Sequence, residues 1–202
     1  MKRIAKIVAP TVVLLMPLAG LVIARGGLDE PRVKPTPQIS ELLLRELNVE
    51  PSNESLSNFD FVLQDLQGRK INLRDLRGKI VLVNFWATWC PSCKLEMPSM
   101  EALHKRLGND GLVMLAVNVR ENAEEVKAFF QEHQLSFSAI LDPEGHAFER
   151  FKVWSLPTTF IIDRKGELLG KVIGYRDWDS EQTIHVLQRL LESPARNHRG
   201  SR

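Results

Sequence analysis

Three observations predict an α/β fold with a mixed sheet set between layers of helices. Ile80–Phe85 and Leu112–Val119 are continuous apolar runs of the kind that form strands covered on both faces. Segments of helical period alternate with them. The ordered region then closes on two strands and a final helix, which completes the layered pattern.

The elements follow in chain order. Phe59 to Leu66 and Ile71 to Leu76 alternate apolar and polar residues around Gln67-Gly68, which reads as a β-hairpin leading into the domain. After the strand at Ile80–Phe85, a helix is expected from Pro91 to about Leu107. Leu112 to Val119 is the second buried strand and Ala123 to His133 the second helix. Ser138 to Leu141 reads as a short strand and Gly145 to Phe151 as a short helix. Thr158 to Ile162 and Leu168 to Ile173 are two strands flanking the turn Asp163-Arg164-Lys165-Gly166. The last helix spans about Asp179 to Glu192, with Asp179 or Ser180 as its cap.

The ends differ from this middle. Lys2, Arg3 and Lys6 precede an apolar run from Ile7 to Ile23. As a helix its roughly 17 residues would extend about 26 Å, just short of a bilayer core. Positive charge ahead of it holds the N-terminus in the cytoplasm and places the body outside. The run, taken as residues 1–26, reads as a membrane anchor; a cleaved signal segment with a weak site at Val22-Ile23-Ala24 is the alternative. Either exports the domain. Residues 27–57, with Pro31, Pro35 and Pro37, read as an extended linker. Within it, Ile39 to Leu47 predicts a short amphipathic helix packed on the domain, a lipid-surface role being the alternative. The domain is placed at 58–193, and 194–202 reads as a disordered tail.

The 202 residues are 44% hydrophobic, enough for one substantial core. Lys and Arg number 27 against 25 Asp and Glu, a formal net charge of +2. That balance, with its basic excess at the two ends, gives no support for a nucleic-acid partner. The 2 cysteines lie in one tight pair, whereas a disulfide-stapled scaffold carries more of them, dispersed. A bridge between Cys90 and Cys93 closes too short a loop to stabilise a fold by chain entropy. The pair is chemical rather than structural.

Trp89-Cys90-Pro91-Ser92-Cys93 stands where a buried strand gives way to a helix. A helix start presents unpaired N–H groups and partial positive charge, so Cys90 is expected to ionise well below the free-thiol value of about 8.5. Pro91 suits the first helical position, where its missing N–H costs nothing. Cys93, one turn on, is placed to attack a mixed disulfide formed at Cys90. A zinc site would need two further ligands; there is no second cysteine pair, and His104, His133, His146, His185 and His198 are scattered. Covalent haem attachment needs His after the second cysteine, where Lys94 stands. No cofactor or metal is expected.

The stretch Asn84-Phe85-Trp86-Ala87-Thr88-Trp89-Cys90-Pro91-Ser92-Cys93-Lys94-Leu95-Glu96-Met97-Pro98 resembles the active-site segment of the thioredoxin superfamily, in its membrane-anchored TlpA/ResA-like branch. The similarity runs from about Phe59 to Glu192 and includes the block Leu156-Pro157-Thr158-Thr159-Phe160-Ile161-Ile162-Asp163. It implies a thioredoxin-like fold with an added N-terminal hairpin, and a thiol–disulfide oxidoreductase. It further implies protein disulfides or dithiols as substrates, a membrane electron donor carrying reducing equivalents across the membrane, and a monomer. By position, Cys90 matches the nucleophile and Cys93 the resolving thiol. Pro157 matches the cis-proline facing the disulfide, with Leu156 before it pairing with a substrate strand. Pro98 matches the proline that kinks the active-site helix. Trp86 corresponds to a structural wall and Trp89 to a cover over the disulfide; Trp154 and Trp178 carry no reading beyond packing or substrate-surface contact.

One departure matters. Ordinary thioredoxins bury an aspartate where Asn84 stands, and asparagine cannot take up a proton. Glu96 is the substitute, three residues after Cys93 and on the same helix face. Partly buried, it would have a raised pKa and could accept the Cys93 proton; a surface glutamate paired with a nearby Lys or Arg is the alternative. Relatives of this type serve cytochrome c maturation or oxidase copper-site assembly. The usual cytochrome-maturation block at the cis-proline is Gly-Ala-Pro-Glu, and Ser155-Leu156-Pro157-Thr158 stands here instead. A thiol peroxidase of the same fold would need Thr or Ser where Ala87 stands. A metallochaperone-type binding module using the two cysteines as ligands is the non-enzymatic alternative.

Overall fold

The computed structural model of the chain describes residues 44–51 and 62–192. The apolar run at the N-terminus, most of the expected linker and the C-terminal tail lie outside these residues. Among the described residues no helix is long and apolar enough to cross a membrane.

The strands are β1 (Glu50–Pro51), β2 (Val62–Asp65), β3 (Lys70–Asn72), β4 (Ile80–Trp86), β5 (Leu112–Val119), β6 (Ser138–Asp142), β7 (Thr158–Ile162) and β8 (Leu168–Ile173). The helices are α1 (Pro91–Leu107), α2 (Ala123–Glu132), α3 (His146–Arg150) and α4 (Glu181–Glu192). All the strands join one sheet in the order β1-β8-β7-β4-β5-β6-β2-β3. β5 is parallel to β4 and β6, and every other pairing is antiparallel. This is the expected thioredoxin-like arrangement, with the hairpin β2–β3 added at one edge.

β4 is buried along its whole length, as a central strand with both faces covered must be. Its residues alternate between two cores. Ile80, Leu82 and Trp86 meet Met97, Met100 and Leu103 of α1, Phe129 and Phe130 of α2, and Leu187 and Leu190 of α4. Val81, Val83 and Phe85 meet Phe151, Phe160 and Ala147 on the other side. The Trp86 ring lies 4.9 Å from that of Phe129 and 5.7 Å from that of Phe130. α2 starts at a capping box, in which Asn122 and Glu125 satisfy each other's backbone N–H. Ser180 caps α4, its Oγ accepting from the Thr183 N–H at 3.3 Å.

Two expectations are corrected. The second arm of the hairpin is strand only over Lys70–Asn72; Leu73–Leu76 is a 3-10 turn. The Asn72 side chain accepts from the Arg74 N–H at 2.9 Å, which offers the backbone a turn in place of the ladder. Leu44–Pro51, read as linker, is part of the folded body. Leu44, Leu47 and Val49 are buried in the α1-side core, so the apolar patch before the domain packs onto it. β1 then pairs with β8, Glu50 opposite Lys171 and Pro51 opposite Gly170.

Gly170 makes that pairing sterically feasible. A Cβ there would stand 2.4 Å from the Glu50 carbonyl oxygen and 2.7 Å from Val49 Cγ1. Gly170→Ala is therefore expected to push β1 off the sheet and to cost about 1–3 kcal/mol, the usual range for overpacking. Denaturant unfolding and hydrogen exchange at the Val49 and Glu50 amides check this; unchanged protection there would show that the strand tolerates the methyl.

Candidate active site

β4 delivers the chain to the start of α1 through the turn Ala87-Thr88-Trp89. Cys90 is the N-cap residue, extended at φ −85° and ψ 111°, and its Sγ accepts from the Cys93 N–H at 3.3 Å. Pro91 occupies the first turn of the helix, as expected. Cys90 and Cys93 form a disulfide, their Cα atoms 5.3 Å apart. Cys90 is 4% exposed and Cys93 is fully enclosed. After reduction, Cys90 is expected to alkylate much faster than Cys93 below pH 8, because the helix start favours its thiolate and its sulfur is the reachable one. Time-resolved labelling with mass spectrometry checks this, and equal rates would remove the distinction between the two thiols.

The turn is tied down from below. Glu121, just past β5, accepts from the Thr88 N–H at 2.7 Å, from the Thr88 hydroxyl, and from Asn118 Nδ2 at 2.6 Å. These bonds hold the backbone two residues ahead of Cys90. Sequence reading missed Glu121: it lies 33 residues beyond Thr88, and no local motif joins the two.

The Leu156–Pro157 peptide is cis. Leu156 lines a groove of about 460 Å³ together with Trp89, Cys90, Pro91, Phe148 and Trp154. Trp89 is 67% exposed and Trp154 72%. The five candidates Trp89, Cys90, Pro91, Leu156 and Pro157 thus fall into one neighbourhood, with buried Pro157 next to Leu156.

Glu96 is completely buried, not a surface glutamate. Its Oε1 accepts from Asn84 Nδ2 at 2.7 Å, and its Oε2 from Trp178 Nε1 and from the Arg176 backbone N–H, both at 3.3 Å. Asn84 also donates to Thr159 Oγ1 at 2.9 Å. Burial raises the carboxyl from its usual 4.5 to about 7, against the opposing pull of these donors and of the Arg176 charge. A carboxyl poised near neutrality can hold or release a proton at physiological pH. Arg176 is itself half-buried, its guanidinium 5.7 Å from the Trp178 ring centre and donating to the Leu47 carbonyl. The segment once read as linker therefore helps to close the Glu96 chamber. Arg176 and Thr159 are not singled out in the sequence, and Trp178 is read there only as packing or substrate-surface contact; only the Asn84 departure pointed at this chamber. Pro98 lies inside α1, which continues through it to Leu107.

A disulfide capping a helix at the end of a buried strand, in a groove walled by a cis-proline segment, defines a thiol–disulfide oxidoreductase of thioredoxin-like fold. Comparison with known proteins agrees. Residues 57–170 match the AhpC/TSA family. Thiol-disulfide oxidoreductase ResA of Bacillus cereus is 38% identical over 133 residues, covering 66% of this chain and 73% of that protein. ResA of Geobacillus kaustophilus is 42% identical over 134 residues, covering 66% and 74%. Among solved structures, StoA from Bacillus subtilis superimposes with a TM-score of 0.54 at 26% identity, over 65% of this chain and 96% of that one. A thiol:disulfide interchange protein of the thioredoxin family from Chlorobium tepidum gives 0.56 at 27% identity, over 71% and 95%. The chain belongs to the AhpC/TSA family of the thioredoxin superfamily, with ResA-type thiol–disulfide oxidoreductases as its relatives.

Proposed function

We propose that this chain is an exported disulfide reductase that keeps chosen thiols of extracytoplasmic proteins reduced, in cytochrome c maturation or metal-site assembly. The observation that carries the reading is the Cys90–Cys93 pair at the α1 N-terminus with a buried carboxyl, poised near 7, one turn further in. The Cys90 thiolate attacks a substrate disulfide, forming a mixed disulfide and releasing one substrate thiolate. Glu96 takes the Cys93 proton; the Cys93 thiolate attacks Cys90 Sγ, releasing the second substrate sulfur as a thiolate and leaving the enzyme disulfide. Trp89, Pro91, Leu156 and Pro157 receive the substrate segment beside Cys90. A membrane donor of electrons then reduces the enzyme, which acts as a monomer.

Export is supported by Lys2, Arg3 and Lys6 ahead of the apolar run Ile7–Ile23. The test is made in cells. A reporter that requires export, fused after Arg202, is expected to be active only outside the cytoplasm. Differential thiol labelling is expected to find additional disulfides in exported proteins when the chain is deleted. An inactive fusion overturns the location, and unchanged labelling overturns the reductase role.

A further inference from the structure

Among the described residues lining the groove beside Cys90, Arg120 is the one that carries a charge. It follows the last residue of β5 and holds a left-handed backbone at φ 60°, a conformation that suits glycine and is uncommon for arginine. Strained backbone of this kind persists where surrounding structure over-determines it, and it gathers at ligand clamps.

The surroundings of Arg120 are built to hold its guanidinium at the groove wall. The Arg120 backbone N–H donates to the Asp142 carbonyl at 3.0 Å. The guanidinium carbon stands 5.8 Å from the centre of the Phe148 ring, itself a groove residue. Nη2 donates to Glu149 Oε1 at 3.2 Å. Gly145, ahead of α3, leaves the space: a Cβ there would come within 2.6 Å of Arg120 Nε. The Arg120–Glu149 pair is more than half exposed on both sides, and such exposed pairs contribute little stability. The pair holds the cation beside Phe148, on the wall of a groove that Trp89, Trp154 and Leu156 also line.

We propose that Arg120 is a specificity-determining residue, selecting protein substrates that carry an Asp or Glu beside the cystine attacked by Cys90. A carboxylate entering the groove makes a charge-assisted hydrogen bond with the guanidinium, in exchange for the weak partnership with Glu149. Complementary charge at such a site acts on encounter and on discrimination between partners. Glu121 does not compete, since its carboxylate is occupied by Thr88 and Asn118 under the active-site turn. This inference rests on the reductase reading and adds the chemistry of the substrate to it.

The test uses the full chain and three cystine-containing peptides that differ only in the residue next to the cysteine: Asp, Asn or Lys. The expected order of kcat/KM is Asp above Asn above Lys, with the Asp/Asn ratio shrinking as salt is added. Arg120→Gly suits the left-handed backbone, so the fold tolerates it, and it is expected to lower the Asp/Asn ratio about tenfold. Glu149→Gln, which removes the competing negative charge beside the guanidinium, is expected to raise that ratio. Turnover of all three peptides by the wild type at equal kcat/KM, or an unchanged ratio in Arg120→Gly, overturns the proposal and leaves the reductase reading intact. Failure of the wild type to reduce any of them overturns both.

Discussion

The Cys93→Ala variant is expected to attack a substrate disulfide once and then stop, leaving the substrate covalently bound through Cys90. Cys90 caps α1, and its sulfur borders the groove; the first attack needs nothing from Cys93 except its backbone N–H, which alanine retains. Resolution needs the second sulfur, fully enclosed one turn into the helix. Without it the mixed disulfide can leave only through an external thiol. Turnover with a protein disulfide should fall to the uncatalysed background, while one equivalent of adduct accumulates and survives non-reducing electrophoresis. Cys90→Ser should lose turnover and adduct together. Adduct formation by Cys90→Ser, or sustained turnover by Cys93→Ala, would reverse the assigned roles.

Glu96→Gln is expected to slow the resolution step by about 10²-fold, the usual weight of one general base. The substitution keeps the size of a side chain enclosed by Asn84, Trp178 and Arg176, but it removes the proton acceptor. In the wild type, resolution should quicken as pH rises through about 7, where the buried carboxyl ionises; in the variant that rise should vanish. Stability supplies a second readout. A raised carboxyl pKa means that the folded chain binds this proton more tightly than the unfolded chain does. The stability it contributes is complete below the usual 4.5 and is lost as pH climbs through about 7. The stability of the wild type relative to Glu96→Gln should therefore decline across that interval. Stopped-flow quenching of the mixed disulfide and denaturant melts from pH 4.5 to 8 check the two arms. A wild-type resolution rate in the variant across pH 6–8 would reduce Glu96 to a buried packing residue.

The catalytic pair was legible because its physics is local. A strand of seven buried residues, a cysteine at the helix cap, a proline in the first turn and a second cysteine one turn on all lie between Ile80 and Cys93. Periodicity likewise placed β5, β7 and β8 and the helices within a residue or two, because each buries one continuous stripe or run. Leu73–Leu76 misled the same reasoning: its alternation suits a strand, while the Asn72 side chain diverts the backbone into a turn. Leu44 and Leu47 pack onto the domain as their apolar spacing predicts, but the boundary at 58 falls too late, because proline-rich surroundings outweighed these residues and Val49, whose partners lie in the α1-side core.

What the order of residues specifies here is the reagent: a strand-to-helix junction presenting two thiols, which composition and spacing already mark as redox chemistry. The environment of that reagent comes from segments far apart in the chain. Asn84, Glu96, Thr159, Arg176 and Trp178 meet in one chamber only because β4, β7 and the segment after β8 are laid against α1. Glu121 reaches Thr88 across 33 residues, and Arg120 reaches Phe148 and Glu149 by way of the groove wall. Burial and charge at these places depend on which distant atoms exclude water from them. Proton affinity is therefore a property of the packed molecule, whereas the position of the sulfurs can be read from the chain.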